Sequence, residues 1–148
     1  MAKTAGSLEF AVSEFLMPKQ LLKLEQKLQN LDLLCASIGQ KLSDSTKERM
    51  TRQETPDGGS WEALDPNYEL RRKAIWGDRP ILDLSGFLFE SIAYESNAKE
   101  IRVGSSAIYA GTHQYGLPQK NVPARPYLGL SEEDKSTITN LFSAFLEL

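Results

Sequence analysis

Histidine and cysteine are almost missing from this chain: among 148 residues each occurs once, as His113 and Cys35. A single cysteine excludes an internal disulfide and a cysteine-rich zinc site. With one imidazole there is no HxxxH or HxH pair, and no CxxC is present, so a zinc site lacks its usual ligands. No apolar run approaches the roughly 20 residues a membrane span needs. The start, MAKTAGSLEF, lacks a basic region followed by an apolar core, so no signal peptide is expected. The phosphate-cradling GxGxxG and GxxxxGK spacings are absent, as is a GxSxG nucleophile elbow. Basic charge is also short. Seventeen Lys and Arg against twenty Asp and Glu give a formal charge of −3, which argues against nucleic acid as the main partner. The densest basic cluster, Arg71-Arg72-Lys73, lies close to Glu69 and Asp78 and reads as a solvated helix face. The expectation is a soluble, cytoplasmic chain with no metal and no cofactor.

What the chain does have is pattern. Residues 1–17 carry Leu8, Ala11, Val12 and Phe15 at helical spacing, which suits a short helix or an arm. Pro18 fits the first turn of a new helix. From there Leu21, Leu24, Leu28, Leu31, Cys35, Ile38 and Leu42 step alternately by three and four, a seam of about three heptads. The spacing predicts one amphipathic helix over 18–50, roughly 45 Å long. It either packs in the core or pairs with a neighbouring subunit, since Leu22, Leu33 and Leu34 lie off the seam. Cys35, on the seam, reads as a packed thiol.

Residues 51–148 read as a compact α+β part, forming one domain with the long helix. Thr55-Pro56-Asp57-Gly58-Gly59-Ser60 is turn chemistry, and Trp61 is expected to anchor it. A helix is predicted from about Pro66 to Trp76 and a short one after Ser85. Alternation over 92–96 and 100–104 predicts a β-hairpin with Ile92, Tyr94, Ile101 and Val103 facing the core. A helix over 107–115 should end at Gly116, and Pro126 should hold Arg125 extended. Ser131 caps a last helix whose first turn is acidic, with Ile138, Leu141, Phe142 and Phe145 as its buried stripe.

His113 is the obvious place to seek catalysis, within Ile108–Gly116, IYAGTHQYG. It has no ligand partner at metal spacing, and Cys35 sits within the heptad seam, so neither a metal site nor a Cys-His pair is supported. Paired carboxylates such as Glu132-Glu133 sit where a helix dipole explains them. A packed elbow is the more economical reading. Tyr109 and His113 share a helix face, Gly111 allows close approach, and Gly116 takes the left-handed conformation that ends the helix. Tyrosine and histidine, with apolar bodies and polar tips, suit interfaces.

Several pieces in order carry a resemblance: Pro56-Asp57-Gly58 with Trp61, Ile81-Leu82 with Ser85-Gly86, Leu88 and Ser91-Ile92, and Val103-Gly104-Ser105. Tyr109-Ala110, His113-Gln114-Tyr115-Gly116 and Pro123-Ala124-Arg125-Pro126-Tyr127-Leu128-Gly129-Leu130 complete it. Over about residues 20–148 the chain resembles the phage virion morphogenesis family, tail completion proteins of Mu-like and related phages and prophages. It departs from the family pattern at Met50, Tyr115 and Tyr127, where aromatics or phenylalanine are common, and its first 17 residues precede the usual start. The resemblance implies a non-enzymatic role in completing the tail or the head–tail joint, without cofactor. Its implied partners are other tail or connector proteins and further copies of the chain, in the host cytoplasm during assembly and then in the virion. A capsid assembly chaperone absent from the finished particle is the alternative, and a small enzyme using His113 a distant one. The contact candidates are Tyr109, His113, Tyr115, Arg125 and Tyr127 on the compact part, and Leu21, Leu24, Leu28 and Leu31 on the long helix.

Overall fold

The computed structural model describes residues 18–147; the expected arm over 1–17 lies outside the described residues. Two helices stand where one was predicted, α1 (Pro18–Gln29) and α2 (Leu31–Arg52). Asn30 joins them at φ −86° and ψ −3°, and its N–H is shared between the Gln26 and Lys27 carbonyls at 3.1 and 3.2 Å. Such a shared bond tightens the last turn of a helix and bends the axis. The expectation of one continuous helix is corrected to a helix bent at Asn30.

The seam also drifts. Along α2 the buried residues are Leu34, Cys35, Ile38, Gly39, Ser43, Thr46, Arg49 and Met50. A straight helix turns every 3.6 residues, so a 3.5-residue stripe walks around its surface. Between Leu42 and Met50 the inward face is Ser43, Thr46 and Arg49, which an apolar pattern cannot reveal. The helix ends in a Schellman motif: Gln53 N–H bonds Met50 O at 3.2 Å and Glu54 N–H bonds Arg49 O at 3.1 Å. Gln53 holds the left-handed position at φ 56°, where glycine is usual. Its side-chain oxygen accepts the Ile81 N–H at 3.3 Å, tying the helix end to the next loop.

Helix α3 (Pro66–Trp76) begins where proline at the first position predicts, with the Asp65 carboxylate accepting the Asn67 and Tyr68 N–H groups at 3.0 Å. The short α4 (Phe87–Glu90) leads into the hairpin β1 (Ile92–Asn97) and β2 (Glu100–Ser105), an antiparallel pair with Tyr94 opposite Val103. Asn97 Oδ1 accepts the Lys99 and Glu100 N–H groups, so the two-residue turn is an Asx turn. Ile92, Tyr94, Ile101 and Val103 share the inward face as expected. That face lies on α2, where Gly39 leaves room for the Tyr94 ring. Helix α5 (Ala110–Tyr115) starts later than predicted, because Ala107 is buried in the core and its carbonyl takes the Ala110 N–H in a turn.

The last helix, α6 (Glu132–Glu147), opens with the expected cap, Ser131 Oγ accepting the Asp134 N–H at 3.0 Å. It packs antiparallel on α2 and α1: Asp134 meets Arg49, while Lys27 Nζ reaches the Leu146 carbonyl at 2.6 Å. Phe142, expected in its buried stripe, is 37% exposed. Met50, Trp61, Leu88, Ile92, Ala107 and Tyr127 form the core. Among the described residues no helix is long and apolar enough to cross a membrane.

Candidate functional site

The elbow around His113 and the segment 123–130 form one unit. Ser91 and Ser105 hydroxyls meet at 2.6 Å, and Ser105 Oγ accepts the Ala107 N–H, which fixes the chain leaving β2. Within α5 the Tyr109 and His113 rings stand edge to face with centroids 5.7 Å apart. The Arg125 N–H bonds the His113 carbonyl at 2.8 Å. Gln114 does what a paired strand would do: its amide oxygen accepts the Tyr127 and Leu128 N–H groups, and its nitrogen donates to Leu128 O. Tyr127, wholly buried, gives its hydroxyl to the Ala110 carbonyl at 3.1 Å. Gly116 has φ 77° and ψ 173°, an extended mirror conformation rather than the expected left-handed helical one. A Cβ there would stand 2.8 Å from Ala124 N, so the close approach requires glycine. Gly111, expected to serve that purpose, faces open space.

Buried arginines brace this unit. Arg125 donates to the Glu62 and Ala63 carbonyls at 2.8 and 3.1 Å, beside Trp61, whose indole N–H bonds Pro126 O at 2.8 Å. Arg49 donates to the Tyr127 and Gly129 carbonyls and pairs with the Asp134 carboxylate at 2.8 Å. Arg72, expected on a solvated face with Arg71 and Lys73, is 4% exposed and donates to the Arg79, Pro80 and Asp83 carbonyls. Only its two neighbours fit the expectation. A planar fork carries five donors on three nitrogens and so reaches carbonyls set apart from one another, whereas lysine has only one nitrogen.

The contact candidates therefore divide. Arg125 and Tyr127 are inside the fold and hold its backbone. His113 is half-buried, its Nδ1 enclosed and without a hydrogen-bond partner among the described residues. Burial, and then the Arg125 charge, push its pKa below the ordinary imidazole value. Tyr115 is 81% exposed and Tyr109 lies at the surface beside Phe87, ring centroids 6.5 Å apart. Ile108, which the sequence gave no reason to single out, projects fully into solvent. Leu28 is exposed on α1, Leu31 is half-buried at the start of α2, and Leu21 and Leu24 lie on α1.

Cys35 is buried in the N-terminal half of α2 and does not line the groove that His113 lines. Ser85 shares that groove, but its hydroxyl accepts the Phe87 N–H at 3.4 Å and makes no hydrogen bond to His113. No group of three or more His, Cys, Asp or Glu side chains among the described residues is placed to hold a metal ion.

Residues 17–147 match the phage virion morphogenesis family. A protein named for capsid assembly, protein G of Escherichia phage Mu, is 38% identical over 112 residues, covering 70% of this chain and 69% of the relative. Tail completion protein S of Escherichia phage P2 is 31% identical over 125 residues, 77% of this chain and 83% of the relative. The Mu-like prophage FluMu G protein 1 of Haemophilus influenzae is 30% identical over 118 residues, 78% and 79% of the two chains. No solved structure matches the chain.

Proposed function

Since the chain belongs to the phage virion morphogenesis family and so acts in phage assembly, we propose that it completes the tail or closes the head–tail joint as a structural part. The observation that carries this reading is the exposure of Ile108, Tyr115, Tyr109 and Phe87 on and around α5, the last two in ring contact, beside backbone that the buried Arg125 ties down. Large apolar side chains on a rigid frame gain contact area at little entropic cost, which is what docking to a preassembled ring requires. Tail or connector proteins and other copies of the chain are its partners, met in the host cytoplasm and retained in the virion. No catalytic step and no cofactor enters this role.

Capsid assembly is the second reading, favoured by the name of the phage Mu relative. Loss of the gene separates the two. Electron microscopy of the lysate should show full heads beside unjoined or unfinished tails. Misshapen or missing heads would transfer the role to the capsid. Mass spectrometry of purified virions should also find the chain. An Ile108→Glu, Tyr115→Glu protein should fold normally yet give at least ten-fold fewer infective particles, since a charge buried at a contact costs several kcal/mol.

A further inference from the structure

A groove of about 640 Å³ opens beneath α3. Its walls are mainly apolar, with Leu64, Tyr68, Ile81, Leu84, Tyr109 and Val122. Three cations, Arg72, Lys120 and Arg125, also line it. Arg72 and Arg125 are 4% and 5% exposed, and neither forms an ion pair with a described residue. Their donors rest on backbone carbonyls, which satisfy hydrogen bonds and leave the net charge uncompensated. Glu62 acts on Arg125 only from beyond ion-pair distance. Asp65 lines the wall too, but its Oδ1 is engaged by two backbone N–H groups of α3. Asp83 offers Arg72 its carbonyl, while its own Oδ1 is buried without a partner. A buried charge without its opposite is costly, so apolar walls of positive potential select an apolar, acidic ligand.

The sequence contains such a ligand. Residues 7–16, SLEFAVSEFL, carry Glu9 and Glu14 among Leu8, Phe10, Val12, Phe15 and Leu16, with no basic residue. The segment cannot fill the groove of its own copy. α1 lies beside the last turn of α6, at one end of α2, whereas the groove adjoins Ile81 and Gln53 at the other. The length of α2 alone is about 33 Å at 1.5 Å per residue. With Glu14 in the groove, four residues remain to Pro18, a reach of about 14 Å.

We propose that residues 8–16 of one copy seat in this groove of the next, their glutamates facing Arg72, Lys120 and Arg125, so that copies associate head to tail. Such a contact uses different surfaces on its two sides, and it closes as a ring when the rotation per copy divides the circle. It goes beyond the assembly role proposed above and does not depend on which joint of the particle is served.

The test is sedimentation of the full-length chain over a range of concentrations. One variant carries Glu9→Lys and Glu14→Lys; the other carries Lys120→Glu, an exposed position outside the core. Each should associate roughly ten-fold or more weakly than the unaltered chain. Mixed together they should form a complex, because the intact segment of one meets the intact groove of the other. Unaltered association in either variant overturns the proposal, as pairing through α1 would give. A mixture no larger than its parts overturns it, as does an unaltered chain that stays monomeric. So does a Lys120→Glu chain that loses another virion protein while self-association is unchanged. None of these outcomes bears on the phenotype of gene loss, so the two proposals fail separately.

Discussion

Arg49 joins parts of the chain some eighty residues apart. At 3% exposure it ties the end of α2 to Tyr127, Gly129 and Asp134. Arg49→Ala should cost about 3–5 kcal/mol in urea unfolding, since Asp134 is left buried and unpaired. Arg49→Lys should recover little of it, one ammonium being unable to span three acceptors. Asp134 has the complementary pH signature. Burial would raise its pKa, but hydrogen bonds from Ser45 and Ser131 and the Arg49 charge outweigh burial and lower it. Its stabilisation is full above the unfolded value of about 3.9 and is lost as pH falls through the lower folded value. Asp134→Asn should flatten that acid limb of a stability–pH curve. His113 acts higher on the scale. Its folded pKa lies below the ordinary 6.5, so the unfolded chain takes the proton first and stability declines as pH drops below about 6.5. His113→Gln should remove that slope, measured by thermal unfolding between pH 7 and 5. The Tyr109–His113 contact is legible in four-residue spacing. The role of Gln114 is not, because nothing local says which strand-like backbone will arrive beside it.

At the scale of elements, α2 and the hairpin meet where Gly39 faces Tyr94. A Cβ on Gly39 would stand 2.3 Å from Tyr94 Cδ2 and 2.9 Å from Cγ. The root of the ring cannot swing aside as a flexible chain end can, so helix and hairpin have to part. Gly39→Ala should therefore destabilise by about 1–3 kcal/mol despite the better helix propensity of alanine. Adding Tyr94→Leu should restore part of the loss, checked by a double-mutant cycle in denaturant. Local signals in the sequence find the hairpin, its inward residues, the start of α3 at Pro66 and the Ser131 cap of α6, because each is set by neighbours within a few positions. The bend at Asn30 escapes it, since the apolar seam runs through unbroken and only backbone bonding changes. Part of the inward face of α2 escapes for a related reason: Gly39, Ser43 and Thr46 are chosen for closeness, not hydrophobicity.

The whole molecule is unevenly secured. Among the described residues α1 is tied to the rest of the fold near its end, through Lys27 and the Asn30 turn, whereas the later half of α2 lies under the hairpin and α6. Hydrogen exchange of the unassembled chain should proceed fastest through 19–29 and slowest through 38–50, and equal protection would contradict this picture. The order of helices, hairpin and helices is legible in the sequence. The three buried arginines are not, because most of their acceptors are backbone carbonyls and any residue supplies a carbonyl. Those acceptors and donors have a direction in time. Arg49 waits for Tyr127, Gly129 and Asp134, Trp61 waits for Pro126, and the Glu62 and Ala63 carbonyls wait for Arg125. Synthesis runs from the N-terminus, so a nascent chain that stops before residue 125 has neither a closed core nor the third cation of its groove. A copy cut short before that residue therefore lacks the frame on which the proposed docking surfaces stand.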